Sequence, residues 1–263
     1  MNRSRIVFPR GLMALLLLAV GFGAAAQGYH NDAYQALGQN PGGLNQDLEY
    51  APGTSRTPTG WTEVYAYQQT TPASASQMSR GLSLPAGFAF RFNGQPVTAV
   101  RAFSGGFLTF DTAQTAITWN TNPLPNPQGP NRFAFISWTL LGLSTPQTRI
   151  LTKTFGTAPH RQFWVQWNGV YHATSSIYGR MPGYTSLVLE EGTNRVHLVI
   201  QRTFWWGLRN LGLGAGLQLN GTTAWVADTI WAKTAYQSDP RPDDNITITF
   251  EPGPRRPFDA AMW

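Results

Sequence analysis

The stretch that most constrains the fold runs from Leu84 to Phe110, LPAGFAFRFNGQPVTAVRAFSGGFLTF. Phe88, Phe90 and Phe92 recur at period two, which puts three rings on one face of an extended strand. Asn93-Gly94 follows at once, a dipeptide that suits the tight reversal between antiparallel neighbours. Val97 to Phe103 reads as the return strand, and Ser104-Gly105-Gly106 as a second turn into Phe107–Phe110. A meander with one aromatic face is stable only if a second layer covers it.

The rest of the chain supplies that layer. Trp61 to Gln68 is a strand, and Thr70 to Ser83 is a polar connection. Ile117 to Trp119 reads as an edge strand, and the prolines at 123, 125, 127 and 130 mark a surface loop that cannot join a ladder. Phe133 to Trp138 is a near-continuous apolar run, as a strand buried on both faces would be. Arg149–Phe155 pairs with Phe163–Tyr171 across Gly156-Thr157-Ala158-Pro159, with Phe163, Val165 and Trp167 on one face and Trp164 and Gln166 on the other. Two further hairpins join Thr185–Glu190 to Arg195–Ile200 and Gly214–Asn220 to Thr223–Ala227. Ile246, Ile248 and Phe250 close the domain in strict alternation. With no amphipathic helix in the pattern, the expected fold is all-β, a two-sheet antiparallel β-sandwich of jelly-roll type. Residues 61–250 form that domain. Residues 27–60 are an irregular lead-in with one short helical turn near Tyr34–Leu37, and 251–263 are an extended, proline-rich tail.

The first 26 residues stand apart from the fold. Arg3, Arg5 and Arg10 precede a short apolar run, Met13 to Phe22, and Ala24-Ala25-Ala26 offers the small residues of a cleavage site before Gln27. That pattern is a signal peptide, so the mature chain is expected outside the cytoplasm, with no transmembrane segment. With the three leader arginines removed, 16 basic residues face 13 acidic ones, a net charge of +3. The remaining arginines are scattered rather than striped, which argues against nucleic acid as a partner. The chain has no cysteine, so thiol catalysis, cysteine metal sites and a lipid-modified N-terminal cysteine are excluded. An exported chain without disulfides is held by its core, and 237 residues are enough to bury one.

Catalytic patterns are absent. There is no Gly-x-Ser-x-Gly, no His-Glu-x-x-His and no phosphate loop, and His30, His160, His172 and His197 share no ligand spacing. Glu190-Glu191 are adjacent, so on a strand they point to opposite faces and cannot converge as an acid/base pair, and they read as turn-flanking charges. Gly212, Gly214 and Gly216 lie between strands rather than before a helix, and close packing accounts for them. Asp239, Asp243 and Asp244 are the one acidic cluster; Ca²⁺ would suit such ligands, but they are too few and are interrupted by Arg241, which favours a solvated loop. No other cofactor is indicated. The set that points to binding is aromatic: Trp205 and Trp206 beside Gly207, with Trp164, Tyr171, Tyr178 and Tyr184. Exposed rings stack on sugar faces and anchor protein interfaces, and loops carry such contacts more often than strands do.

Four blocks recur in a fixed order: LPAGFAFRFNGQPVTAVRAFSGGFLTF, FGTAPHRQFWVQWNGV, TSLVLEEGTNRVHLVI and GAGLQLNG. Over residues 61–250 this succession resembles a domain of secreted Bacteroidota proteins, similar to nidogen-like and concanavalin-like sandwiches. The resemblance implies adhesins and cargo of the type IX secretion system. Two departures stand out: Trp138-Thr139-Leu140 replaces that family's acidic Trp-Asp-Asp, and its C-terminal sorting domain is not found before Trp263.

The expectation is a non-catalytic binding or adhesion module of a Gram-negative envelope, secreted, surface-bound or periplasmic, that contacts a glycan or an envelope or surface protein. A structural subunit of an envelope, surface or secretion assembly and a jelly-roll carbohydrate-active enzyme are the alternatives, because sandwiches host all three.

Overall fold

Alternating apolar residues dictate strands, and two apolar faces dictate stacked sheets; the computed structural model realises both. It describes residues 28–35, 40–45, 47, 59–66, 79–115, 124–127, 129, 131–137, 141–142, 149–172, 183–202, 214–226 and 246–253. Its strands are β1 (Tyr29–Gln35), β2 (Thr62–Ala66), β3 (Ser79–Ser83), β4 (Arg91–Phe92), β5 (Gln95–Pro96), β6 (Ala99–Phe103), β7 (Phe107–Thr109) and β8 (Phe133–Ser137). They continue with β9 (Leu141–Gly142), β10 (Arg149–Thr157), β11 (His160–His172), β12 (Gly183–Glu190), β13 (Val196–Arg202), β14 (Gly214–Asn220), β15 (Thr223–Val226) and β16 (Ile246–Pro252).

The larger sheet has the order β1-β16-β13-β12-β11-β10-β2, with β9 added to the end of β11. The smaller runs β15-β14-β8-β7-β6-β3, and β4-β5 is a separate hairpin. The expected two-sheet antiparallel sandwich is what forms. Between the sheets lies one apolar core that includes Phe90, Phe92, Val100, Leu108, Phe110, Val165, Trp167, Leu187, Leu198, Ile248 and Phe250.

The aromatic stretch forms as its period demands. Phe88, Phe90 and Phe92 are all buried, and Phe92 stacks on Phe110 at 4.2 Å between ring centroids and on Tyr29 at 5.4 Å. Asn93 and Gly94 both take positive φ, 48° and 77°, which is the twist a two-residue hairpin needs. The return is shorter than expected. Arg91 and Phe92 pair only with Pro96 and Gln95, and β6 pairs instead with β3 and β7. The end of the stretch read as a polar connection, Ser79–Ser83, is therefore an edge strand. The lead-in is corrected as well: Tyr29–Gln35 is a strand paired with β16, and the short helical turn falls at Pro41–Gly43.

A second correction concerns the outer face of the larger sheet. Trp164, expected on an open face, is fully buried. Trp61, Leu151, Phe155, Val188 and Val199 share its cluster, with Leu44 packed against them. Asp47 fastens this cover by accepting from the Trp61 indole at 2.7 Å and from Lys153 Nζ at 2.6 Å. The outer face of the smaller sheet carries its own group, Phe103, Phe107 and Phe133 under Leu124. Both faces of the central strands are thus apolar, which explains the near-continuous run at the start of β8. Gly216 shows how closely these layers approach: a Cβ there would meet the Trp225 carbonyl at 2.6 Å and Leu124 Cδ1 at 2.9 Å. The expected strand at Ile117–Trp119 and most of the tail beyond Gly253 lie outside the described residues.

Phe92→Ala removes the ring that joins Tyr29 to Phe110 and should cost about 3–5 kcal/mol, as truncation of a buried aromatic does. Urea unfolding measures it, as a lower midpoint with an unchanged slope.

Candidate functional site

The two ends of the sandwich are built differently, and the difference is legible in the register. At one end β10 and β11 pair to Thr157↔His160, leaving only Ala158-Pro159 as a turn. Glu191–Asn194 closes β12 to β13 there, and Gly221-Thr222 closes β14 to β15.

This turn end is locked by polar groups. Glu191 is 1% exposed, and its carboxylate accepts from Arg161 Nε at 2.7 Å, from Arg161 Nη2 at 2.6 Å and from the Ala89 amide at 3.1 Å. Arg161 also donates to the Ala86 carbonyl at 3.2 Å, and its guanidinium lies 5.3 Å from the centre of the Phe88 ring. The Gly192 amide donates to the Ala89 carbonyl, and the Arg91 amide to Asn194 Oδ1. The hydrogen bonds from Arg161 hold the Glu191 carboxyl well below the usual range, at about 2. Burial pushes Glu190 up, but His197, Thr193 and Gln162 outweigh it and hold that carboxyl at about 2 as well. Being ionised, Glu190 can only accept, so His197 Nε2 carries the hydrogen at 2.9 Å, while His197 Nδ1 faces Thr249 Oγ1 at 2.9 Å. The two glutamates point apart, as adjacent strand-end residues must, and each serves the fold. They are not the solvated turn charges that their position implied, and neither carries a proton to give at neutral pH.

At the opposite end of the larger sheet no connection is a tight turn, whereas in the smaller sheet residues 110–132 join β7 to β8 at the turn end. Asn168 pairs with Arg149 and Tyr184, Tyr184 with Arg202, Ile200 with Ile246, and Arg149 with Ala66. Residues 67–78, 143–148, 173–182, 203–213 and 227–245 therefore all join strands at this one end of the larger sheet. Trp167 ties the two sheets together here, its indole donating 2.8 Å to the Phe103 carbonyl. Around it lie buried polar atoms with no hydrogen-bond partner among the described residues: Ser104 Oγ, both amide atoms of Asn168, Thr185 Oγ1 and Gln201 Oε1. Gln201 uses only its other atom, donating to Ser186 Oγ at 2.7 Å. Buried polar groups are normally paired, so four such residues at one end are unusual.

The aromatic residues expected to bind divide accordingly. Trp164 is withdrawn from the set: it is buried in the outer cluster, its indole donating to Gln162 Oε1. Tyr184 is also buried. Tyr171 sits on β11 opposite Gly142, at the long-connection end. Tyr178, Trp205 and Trp206 lie outside the described residues, in segments that join strands at that same end, as do Asp239, Asp243 and Asp244. Among the described residues no group of three acidic or histidine side chains could hold a metal, and no helix is long and apolar enough to cross a membrane.

The order of blocks, the two-sheet fold and the clamp between the Phe88–Phe92 segment and the Glu191–Asn194 turn form one pattern, and residues 53–252 match the family described as NIDO related. The chain belongs to the NIDO-related family. Comparison with curated proteins gave no match, and neither did comparison with solved structures. Membership makes this NIDO-related chain an extracellular, binding-type module of a generally non-enzymatic kind. It also gives the nidogen-like part of the sequence resemblance its basis.

The residues that sequence reasoning missed in this NIDO-related fold are polar. Arg161, Glu191 and Asn194 carry the clamp, and Asn168 and Gln201 the unpaired amides. Amides in the middle of apolar strands, at Gln166, Asn168 and Gln201, were the available signal.

The Glu190 and Glu191 carboxyls are both depressed, so the stability they contribute is complete above about pH 4.5, their unfolded value, and is lost as pH falls toward 2. Urea midpoints measured from pH 7 down to 2 should be flat and then decline in that window. Glu191→Gln should lower the midpoint at pH 7 and shrink the acid decline; an unchanged decline would mean that Glu191 is not the titrating group.

Proposed function

We propose that this protein is an exported, non-catalytic binding or adhesion module of a Gram-negative envelope that holds a glycan through aromatic side chains at the long-connection end. The observation that carries this reading is the concentration of buried, unpaired polar atoms at that end, on Ser104, Asn168, Thr185 and Gln201. Groups of this kind cost about 1–3 kcal/mol each when left without a partner, a cost that a ligand or ordered water reaching that end would relieve. Amides and hydroxyls supply the donors and acceptors that sugar hydroxyls require, and indole or phenol rings supply the stacking surface for the apolar sugar faces.

Family membership supports the extracellular setting, and the arginine-rich start followed by an apolar run and Ala24-Ala25-Ala26 supports export with cleavage before Gln27. Trp205 and Trp206 are the rings proposed to meet the ligand, with Tyr171 and Tyr178 beside them. Two adjacent residues of extended chain point opposite ways, so one of the two indoles faces outward if the backbone there is extended. Loops at one end of a rigid sandwich are a common platform for binding, because the sheets hold the loop ends at fixed spacing.

Trp205→Ala and Trp206→Ala, each made alone, test the reading by glycan-array binding and thermal unfolding. One of them should weaken binding about tenfold, or 1.4 kcal/mol, with the melting temperature nearly kept. If both only destabilise the protein and leave every interaction intact, the rings belong to the core and the proposal fails.

A further inference from the structure

The two lateral sides of the sandwich are not equivalent. On one side β1 and β15 come together and Tyr29 packs edge-on against Trp225 at 5.3 Å, which closes the gap between the sheets. On the other side the last strands are β2 and β3, and among the described residues the space between them is a cleft of about 230 Å³. Tyr65, Ser79, Arg80, Ala102 and Ile150 line it. Ile150 and Ala102 belong to the inter-sheet core, so the floor is apolar.

Arg80 is the residue that makes this cleft specific. It pairs with Ala102, and two residues on Leu82 pairs with Val100, so Arg80 lies on the core-facing side of its strand. Its guanidinium has no ion pair or hydrogen bond among the described residues, whereas neighbouring Arg101 donates to the Thr112 carbonyl and to Ser79 Oγ. Arg149, next to Ile150, is neutralised by Glu63 at 2.9 Å. An uncompensated, fork-shaped cation at the rim of an apolar slot is complementary to a carboxylate on a short apolar body. The volume sets the size. It exceeds the roughly 150 Å³ that takes a benzene and falls below the roughly 300 Å³ at which sites for drug-sized ligands begin.

We propose that this lateral cleft binds a small amphiphilic carboxylic acid, its apolar body on Tyr65, Ala102 and Ile150 and its carboxylate on Arg80. Its lining residues Tyr65 and Ser79 flank the 67–78 connection that joins β2 to β3, but none of them is invoked in the glycan reading, so the site does not depend on it. An inward-pointing charge on an edge strand can also serve to prevent sheets from joining edge to edge, and the experiment distinguishes that role.

The full mature chain is titrated with hexanoate and phenylacetate, and with their uncharged amides, and followed by backbone amide shifts. The acids should perturb Tyr65, Arg80, Ala102 and Ile150 and bind at least tenfold more tightly than the amides. Arg80→Gln, at an exposed position, should fold normally and abolish the preference for acid over amide, and Arg80→Lys should restore part of it. The proposal is overturned if neither acid shifts these amides at millimolar concentration, or if acid and amide bind alike. It is equally overturned if Arg80→Gln binds as the parent does, or if its sole effect is to promote self-association, which would make Arg80 an edge guard.

Discussion

The rest of this structure depends on one buried ion pair, Arg161 with Glu191. The segment from Leu84 to Phe92 carries the aromatic side chains that fill the core, yet only Arg91 and Phe92 join a ladder, and that ladder is a two-residue hairpin. Beyond that hairpin Phe90 has only its carbonyl accepting from the Val97 amide at 3.0 Å, and this bond does not seat Phe88 against the larger sheet. Glu191 does so by accepting the Ala89 amide while its other bonds fix Arg161, which caps the Ala86 carbonyl and covers Phe88. A charge buried in this way is costly unless every lone pair is used, and here both carboxylate oxygens are. The pair therefore gives position more than net stability: it dictates where three phenylalanines enter the core.

From that constraint the division of the molecule follows. The larger sheet's tight turns and the clamp fix one end, and that sheet's longer connections gather at the other, where the Trp167 indole reaches across to the opposite sheet's backbone. A rigid end and an end rich in unpaired polar groups suit a module that recognises rather than transforms. The NIDO-related family to which the chain belongs fits that description. The lateral cleft at Arg80 comes from a different cause, the separation of the edge strands β2 and β3.

Much of this architecture was readable from local pattern. The period-two phenylalanines, the Asn93-Gly94 reversal and the hairpins of β10 to β15 all involve near neighbours whose chemistry suffices. The misreadings share a physical origin. Ser79–Ser83 and Tyr29–Gln35 are edge strands whose sequences carry Arg, Ser, Asn and Asp in place of an apolar run, so periodicity does not reveal them. Trp164 looked available for binding because its strand neighbours already supplied one core face. The residues that bury it, Trp61 and Leu44, lie more than a hundred positions away, and no local pattern records that contact. Glu191 looked like a turn charge for the same reason, since its partners come from two other parts of the chain.

The central claim is that the clamp, rather than the sheet ladder, anchors the Phe88–Phe92 segment. Native-state hydrogen exchange at the amides of Ala89, Arg91 and Gly192 tests it most directly, in the parent and in Glu191→Gln. The account predicts that these three amides exchange as one unit with protection near that of the core strands in the parent, and that Glu191→Gln lowers their protection selectively while β11 and β13 amides keep theirs. Equal loss of protection across the whole sandwich, or no loss at Ala89, would contradict it.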